Sequence, residues 1–313
     1  MKKKVTILIP CYNEQESLPH LYEALCNLMT ENSQYDWELL FINDGSKDNT
    51  LGVLEYIYQN DNRVAYIDLS RNFGKENAML AGFDVATGDA IVIMDADLQH
   101  PPHTVNEMLK YWEEGYDDVY AKRRDRNYES WPKRNITNLF YYFLDKSTRY
   151  DVLRNVGDFR LLDRKCVDAL KKLRESERYT KGLFCWIGFR KKEILFDVAE
   201  RQYGKSSWNV AALAHLAIEG LTSFTTAPLK IGVFLGLAVA FLAICYMFWV
   251  LVTALIWGDP VAGYPTIMTV MLFLGAVQLV CIGFLGEYIG KIYNETKSRP
   301  PYLVREHKWH EEK

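Results

Sequence analysis

Asp95 and Asp97 stand two residues apart, directly after the apolar run Ala90-Ile91-Val92-Ile93-Met94. Carboxylates at i and i+2 past the end of a strand can both reach one side of the following turn. Oxygen ligands of this kind suit Mg²⁺ or Mn²⁺ bridging a diphosphate, where the metal neutralises charge on a departing group. An isolated Asp-x-Asp can equally cap a helix, here over residues 101–114. This one has company. Tyr12-Asn13-Glu14, Asn43-Asp44-Gly45-Ser46 and Ser70-Arg71-Asn72 each follow an apolar run of their own. One such cluster would be an ordinary N-cap or turn; four at corresponding positions make a site.

The elements that must position these clusters are legible as an alternation. Strand-like runs fall at Val5–Ile9, Leu39–Ile42, Val64–Leu69, Ala90–Met94 and Val119–Ala121. Helical patterns lie between them, at Ser17–Met29, Thr50–Gln59, Glu76–Ala86 and Pro102–Glu114. Apolar strands alternating with helices predict an α/β fold with a parallel sheet, whose ligands bind beyond the carboxyl ends of the strands. Farther on, Trp131–Leu144 and Asn209–Thr225 read as apolar-faced helices, either in a core or at a membrane interface.

The chain has 313 residues, 49% hydrophobic and 25% charged, which excludes disorder. A net charge of −3 gives no reason to expect a nucleic-acid partner. That average hides two stretches without charge, Ile231–Trp257 and Pro260–Gly286. Each is long enough for a bilayer span of about 20 residues. Lys230 precedes the first, and Lys291, Lys297, Arg299, Arg305 and Lys308 follow the second, whereas the connection around Asp259 has no Lys or Arg. Positive charge at the outer flanks predicts cytoplasmic termini and a multi-pass protein of the cell membrane. Met1–Lys4 and the short run after it do not make a signal peptide. The six cysteines form no Cys-x-x-Cys pair and no zinc spacing, as expected of buried thiols in a reducing compartment. His100 is expected to be a supporting or loop residue rather than a ligand, and His307 and His310 to lie in a flexible polar tail.

Val5-Thr6-Ile7-Leu8-Ile9-Pro10-Cys11-Tyr12-Asn13-Glu14, Phe41-Ile42-Asn43-Asp44-Gly45-Ser46, Ser70-Arg71-Asn72-Phe73-Gly74-Lys75 and Met94-Asp95-Ala96-Asp97-Leu98-Gln99-His100-Pro101-Pro102 occur in this order. With them the chain resembles the family 2 glycosyltransferases of GT-A (Rossmann-like) fold, and within them the polyprenyl-phosphate glycosyltransferases, such as bactoprenol glucosyltransferases and dolichyl-phosphate mannose synthases. Gly157–Arg164, Trp186–Phe189 and Arg201–Trp208 fit the same subgroup, and the two apolar runs its bacterial branch. The resemblance implies a cytosolic GT-A domain with interfacial helices over 1–228, a two-helix transmembrane hairpin over 229–292, and a cytosolic polar tail over 293–313.

It also implies roles. Pro10, Tyr12, Asn13 and Glu14 fall where the family grips base and ribose, and Asp44 where it reads the base edge. A carboxylate accepts from uracil or guanine alike, so Asp44 does not separate UDP from GDP. Lys75, Asp95, Ala96, Asp97 and Gln99 complete the nucleotide-sugar set, with Asp95 and Asp97 as ligands of Mg²⁺ or Mn²⁺. Asp158 matches a position proposed for a catalytic base. Its role stays open between base and a group orienting the acceptor, the metal or Arg160, because a phosphate monoester with a second pKa of about 6 needs little deprotonation. Arg123, with Arg124 as the alternative, and Arg134 match the acceptor-phosphate arginines. Arg201 and Lys205 match a mobile loop that closes over the diphosphates, so Asp97, Asp158 and Arg201 form the expected catalytic set.

The activity implied is transfer of a sugar from a nucleotide sugar, UDP-linked by analogy with the bacterial branch, to undecaprenyl phosphate, with inversion. A homotetramer is implied by analogy alone. A processive polysaccharide synthase of the same fold would usually carry a Gln-x-x-Arg-Trp segment and more spans, and this chain has neither. A non-catalytic nucleotide-sugar-binding membrane scaffold is the third reading, against which stand the intact Asp44, Asp95, Asp97, Asp158 and Arg201. The sugar itself, and its use in cell-wall or other glycans, is not written in the residues.

Overall fold

The structure is a computed structural model. It describes residues 2–124, 156–175, 178–196 and 263–310, and scattered single positions and pairs between 236 and 256. Among the described residues, β1 (Lys4–Cys11), α1 (Leu18–Glu31), β2 (Asp36–Asn43), α2 (Thr50–Asn60), β3 (Val64–Leu69), α3 (Lys75–Val85), β4 (Ala90–Ile93) and α4 (Thr104–Glu113) alternate as expected. There follow β5 (Asp118–Arg123), β6 (Val156–Asp163), α5 (Arg164–Lys171), α6 (Thr180–Trp186), β7 (Lys191–Phe196), α7 (Tyr264–Thr296) and β8 (Val304–Lys308).

The strands form one eight-stranded sheet in the order β7-β5-β6-β4-β1-β2-β3-β8. Its centre is apolar on both faces: Val5, Ile7, Leu8 and Ile9 of β1, Leu39 to Ile42 of β2 and all of β4 are buried. Such strands require cover on both sides. In α1 the buried Leu18, Leu21, Leu25 and Leu28 recur at helical spacing, and in α4 Val105, Met108, Leu109 and Trp112 do the same. Pro19 stands in the first turn of α1, where a missing N–H costs nothing.

The sheet is mixed, which corrects the expectation of a parallel one. β1, β2, β3 and β4 run parallel, but β6 lies antiparallel between β4 and β5, and β8 lies antiparallel on β3. Strand direction leaves no trace in an apolar run, so the alternation alone could not reveal it. The second correction concerns the C-terminus. The segment read as a flexible tail contains the end of α7 and then β8, whose Val304 pairs with Leu69 and Lys308 with Tyr66. Arg305 Nη1 binds Asp68 Oδ2 at 3.0 Å, and the His310 ring stacks on Tyr58 at 4.0 Å. This strand covers the edge that β3 would otherwise leave unpaired. It is polar because it is itself the new edge and mostly exposed.

The chain divides into two compact units, one holding the sheet and residues 299–310, the other holding α7. Within α7, Phe273–Thr296 is long and apolar enough to cross a membrane. Of the first apolar run only scattered positions are described, and the expected helices at Trp131–Leu144 and Asn209–Thr225 lie outside the described residues. All six cysteines are free.

Candidate active site

β1 lies between β2 and β4, where the order of the parallel strands reverses. A crevice opens at the carboxyl end of such a switch point. Here it is a cleft of about 280 Å³ lined by Pro10, Cys11, Tyr12, Glu14, Asp44, Asn72, Gly74, Lys75, Asp95, Ala96 and Asp97.

Hydrogen bonds between loops fix its walls. The loop after β1 turns at Asn13, whose φ of 56° is left-handed, a conformation Asn tolerates. Asn13 N donates to Ser46 Oγ (3.0 Å), and its Oδ1 accepts from Lys47 N (2.8 Å). Glu14 N donates to Thr50 Oγ1 (2.8 Å). The loop after β2 is thus laced to the loop after β1. Ser46 Oγ donates in turn to Asn43 Oδ1 (2.5 Å), Asn43 Nδ2 to Asp68 Oδ1 (2.8 Å), and Asp68 meets Arg305 from β8. A continuous polar chain therefore joins the C-terminal strand to the Asn13 turn.

Asp44 is buried and accepts from Phe73 N (2.7 Å) and Gly74 N (2.9 Å). Burial pushes its pKa up, against the pull of those two amides and Arg71. Between Asp44 and Ser46, Gly45 has φ +63°, and a Cβ there would stand 2.4 Å from the Arg71 carbonyl carbon. The Asp44 turn and the Asn72 loop pack backbone to backbone, which only glycine permits.

After β4, Asp97 Oδ1 accepts from Gln99 N (3.1 Å), and Asp95 N donates to His100 Nδ1 (3.1 Å). His100 is buried, stacked on Phe159 at 4.5 Å with its edge toward Phe196. Burial pushes its pKa down, so the ring is neutral at neutral pH and Nδ1 is an acceptor. His100 therefore anchors the Asp-x-Asp turn from behind.

Lys75, the first residue of α3, reaches across the cleft. Its Nζ stands 2.6 Å from Asp95 Oδ1 and 2.7 Å from Asp158 Oδ2. Burial works against its charge, but Asp158 and then Asp95 outweigh that and hold its pKa well above the usual lysine range. Asp158, on β6, is buried. Burial alone would raise its pKa; Lys75, Lys181 and Arg160 together bring it down to about 2. Its Oδ1 is buried without a hydrogen-bond partner. Arg160, two residues on, turns instead to Asp118 on β5, at 3.0 Å with both groups essentially inaccessible.

Among the described residues no group of three His, Cys, Asp or Glu side chains is placed to hold a metal. Two carboxylates at the mouth of a cleft nevertheless fit Mg²⁺ or Mn²⁺, which take one or two protein carboxylates and complete their shell with phosphate oxygens and water. Asp95 and Asp97, side by side after β4 in the cleft lining, could supply such a pair.

Of the expected site residues, Pro10, Tyr12, Glu14, Asp44, Lys75, Asp95, Ala96 and Asp97 line one cleft, and Asp158 joins them through Lys75. Asn13 and Gln99 are not in its lining but hold its turns, Asn13 through Ser46 and Lys47 and Gln99 through Asp97. Arg123 lies exposed at the end of β5, with Arg124 next to it. Arg134, Arg201 and Lys205 lie outside the described residues. Sequence reasoning missed Cys11, Asn72 and Gly74 as wall residues, although all three stand inside the quoted motifs. It also missed that Lys75 pairs with two carboxylates; 83 residues separate it from Asp158, and no local pattern encodes that contact.

Residues 6–171 match the family model for glycosyl transferase family 2, and residues 227–292 match the GtrB C-terminal hairpin. A bactoprenol glucosyl transferase of Shigella phage SfX is 41% identical over 97% of this chain and 100% of its own length. An uncharacterized glycosyltransferase of Synechocystis is 43% identical over 97% of this chain and 95% of its own. Among solved structures, Staphylococcus aureus TarS 1-349 in complex with UDP-GlcNAc aligns at TM-score 0.47 and 17% identity, covering 69% of this chain and 66% of that one. With its mixed α/β sheet and its cleft at the strand ends, the chain belongs to glycosyl transferase family 2 and is a glycosyltransferase.

Proposed function

We propose that this enzyme transfers a sugar from a UDP-sugar to undecaprenyl phosphate at the cytoplasmic face of the cell membrane, with inversion at the anomeric carbon. The cleft supports the donor half of this reading: the residues after β1 and β2 that we assign to base and ribose line the same cleft as Asp95 and Asp97 after β4. The acceptor half is supported by near-full-length likeness to the phage bactoprenol glucosyl transferase, including the C-terminal hairpin. The two apolar runs over 229–292 are read as the membrane anchor that keeps the cleft near the lipid headgroup.

In the reaction a phosphate oxygen of the lipid attacks C1 of the sugar. The bond from C1 to the diphosphate oxygen breaks, and the nucleoside diphosphate leaves with that electron pair. Asp95 and Asp97 would hold Mg²⁺ or Mn²⁺, whose chemistry is to neutralise charge on the leaving diphosphate. Asp44 and the Asn72–Gly74 loop fix the base end, and Lys75 places a cation beside the diphosphate position. Asp158, held near pKa 2 by Lys75, Lys181 and Arg160 together, is a weak base. The acceptor, largely dianionic above about pH 6, requires none. Asp158 is accordingly a positioning group, and Arg123, Arg134, Arg201 and Lys205 are assigned to the two phosphate groups.

Detergent-purified protein incubated with undecaprenyl phosphate, Mg²⁺ or Mn²⁺ and a panel of radiolabelled UDP- and GDP-sugars tests the proposal. One labelled lipid product, abolished by EDTA, is expected and names the sugar. Hydrolysis of donor with no label in the lipid fraction contradicts the acceptor.

A further inference from the structure

The bridge made by Lys75 does more than the donor-binding role given to it above. One ammonium satisfies two carboxylates from different strands, Asp95 at 2.6 Å and Asp158 at 2.7 Å. The two ends of the bridge are unequal. Asp158 is nine-tenths buried and its other oxygen has no partner, so loss of the cation would leave it without a hydrogen-bonded cation, with only the fields of Lys181 and Arg160 to hold its charge. Asp95 is about a third exposed and faces the cleft. Lysine carries a compact charge with three donors on a flexible stem, and the Lys75 side chain is two-fifths exposed. It can release Asp95, keep Asp158 and turn a freed donor toward an anion in the cleft.

We propose that Lys75 is a built-in counter-cation that occupies Asp95 until donor arrives, so that divalent metal and nucleotide enter the site cooperatively. This rests on the reading of Asp95 and Asp97 as the metal pair. Without nucleotide, a divalent cation must displace the ammonium from Asp95 and then bear its repulsion at close range. With nucleotide, the diphosphate gives the ammonium a new partner and the metal its remaining oxygen ligands. Linkage is reciprocal, so metal tightens nucleotide by the same factor. The arrangement disfavours a metal-loaded, donor-free cleft.

The test is Mn²⁺ binding to the full chain in detergent, followed by the EPR signal of free Mn²⁺, with and without UDP and corrected for Mn²⁺ bound by UDP alone. Wild-type protein is expected to bind Mn²⁺ roughly tenfold or more tightly with UDP, a coupling of ordinary allosteric size. Lys75→Gln keeps an N–H for Asp158 and removes the charge. It should bind Mn²⁺ without UDP roughly tenfold more tightly than wild type, and gain less from UDP. Wild type that binds Mn²⁺ equally with and without UDP overturns the proposal, as does Lys75→Gln with wild-type affinity. If Asp97→Asn binds Mn²⁺ as well as wild type does, the metal reading fails first and this one with it.

Discussion

Two clusters of charge stand two residues apart on β6 and do opposite work. Asp158 belongs to the cleft cluster with Lys75 and Asp95, which opens to solvent at the strand ends. Arg160 belongs to an enclosed pair with Asp118, at 3.0 Å, its guanidinium also 3.7 Å from the Phe184 ring centroid. The residue types are alike; access to water separates them. The enclosed pair has only protein partners, with Lys191 Nζ also 3.8 Å from Asp118 and the Gly157 carbonyl accepting from Arg160, so its charges serve the sheet. A half-open cluster can exchange a protein partner for a ligand, so its charges can serve chemistry.

That contrast is broken most forcefully at Arg160. Arg160→Met leaves the buried Asp118 carboxylate with only the longer contact to Lys191 at 3.8 Å and should cost about 3 kcal/mol of stability, read from the unfolding midpoint in denaturant. The double variant Arg160→Met with Asp118→Leu should recover most of that loss. Recovery of nothing would mean that the pair does more than neutralise itself.

On the open side, Asp97→Asn should lower metal-dependent transfer about 100-fold or more, worth roughly 3 kcal/mol of transition-state stabilisation. Its melting temperature should stay at the wild-type value. Full activity in that variant would sink the metal assignment. Arg305→Gln acts at the far end of the polar chain through Asp68, Asn43 and Ser46. Arg305 is largely exposed, so about 1 kcal/mol of stability is expected, with a raised KM for donor and an unchanged kcat. A fall in kcat alone would separate β8 from the donor loops. The smallest effect expected is on the pH profile. Asp158, ionised down to about pH 2, contributes no titration between pH 5 and 8. The acid limb of transfer, as pH falls through about 6, should come from protonation of the acceptor phosphate. Asp158→Asn should lower the rate without moving that limb; a shifted limb would restore Asp158 as the base.

The same contrast explains what could be read from residue order. Val64–Leu69 was predicted with the bounds that β3 has, and β1, β2 and β4 to within a few residues, because strands buried on both faces are apolar runs. The four polar strand ends were legible because loops advertise their chemistry locally. β6 was not, since Val156-Gly157-Asp158-Phe159-Arg160 carries two charges whose partners lie on other elements. β8 was hidden for the reverse reason: an exposed edge strand looks like a polar tail. Lys75 could be singled out by its motif but not paired, because its two contacts cross the fold.

The central claim is that the four strand ends form one donor site. Hydrogen exchange of the detergent-solubilised chain with and without UDP and Mn²⁺ tests it most directly. Slower exchange over residues 10–14, 43–46, 72–75 and 94–99 together is the predicted result. Protection confined to other segments, or to a single one of these loops, would contradict it.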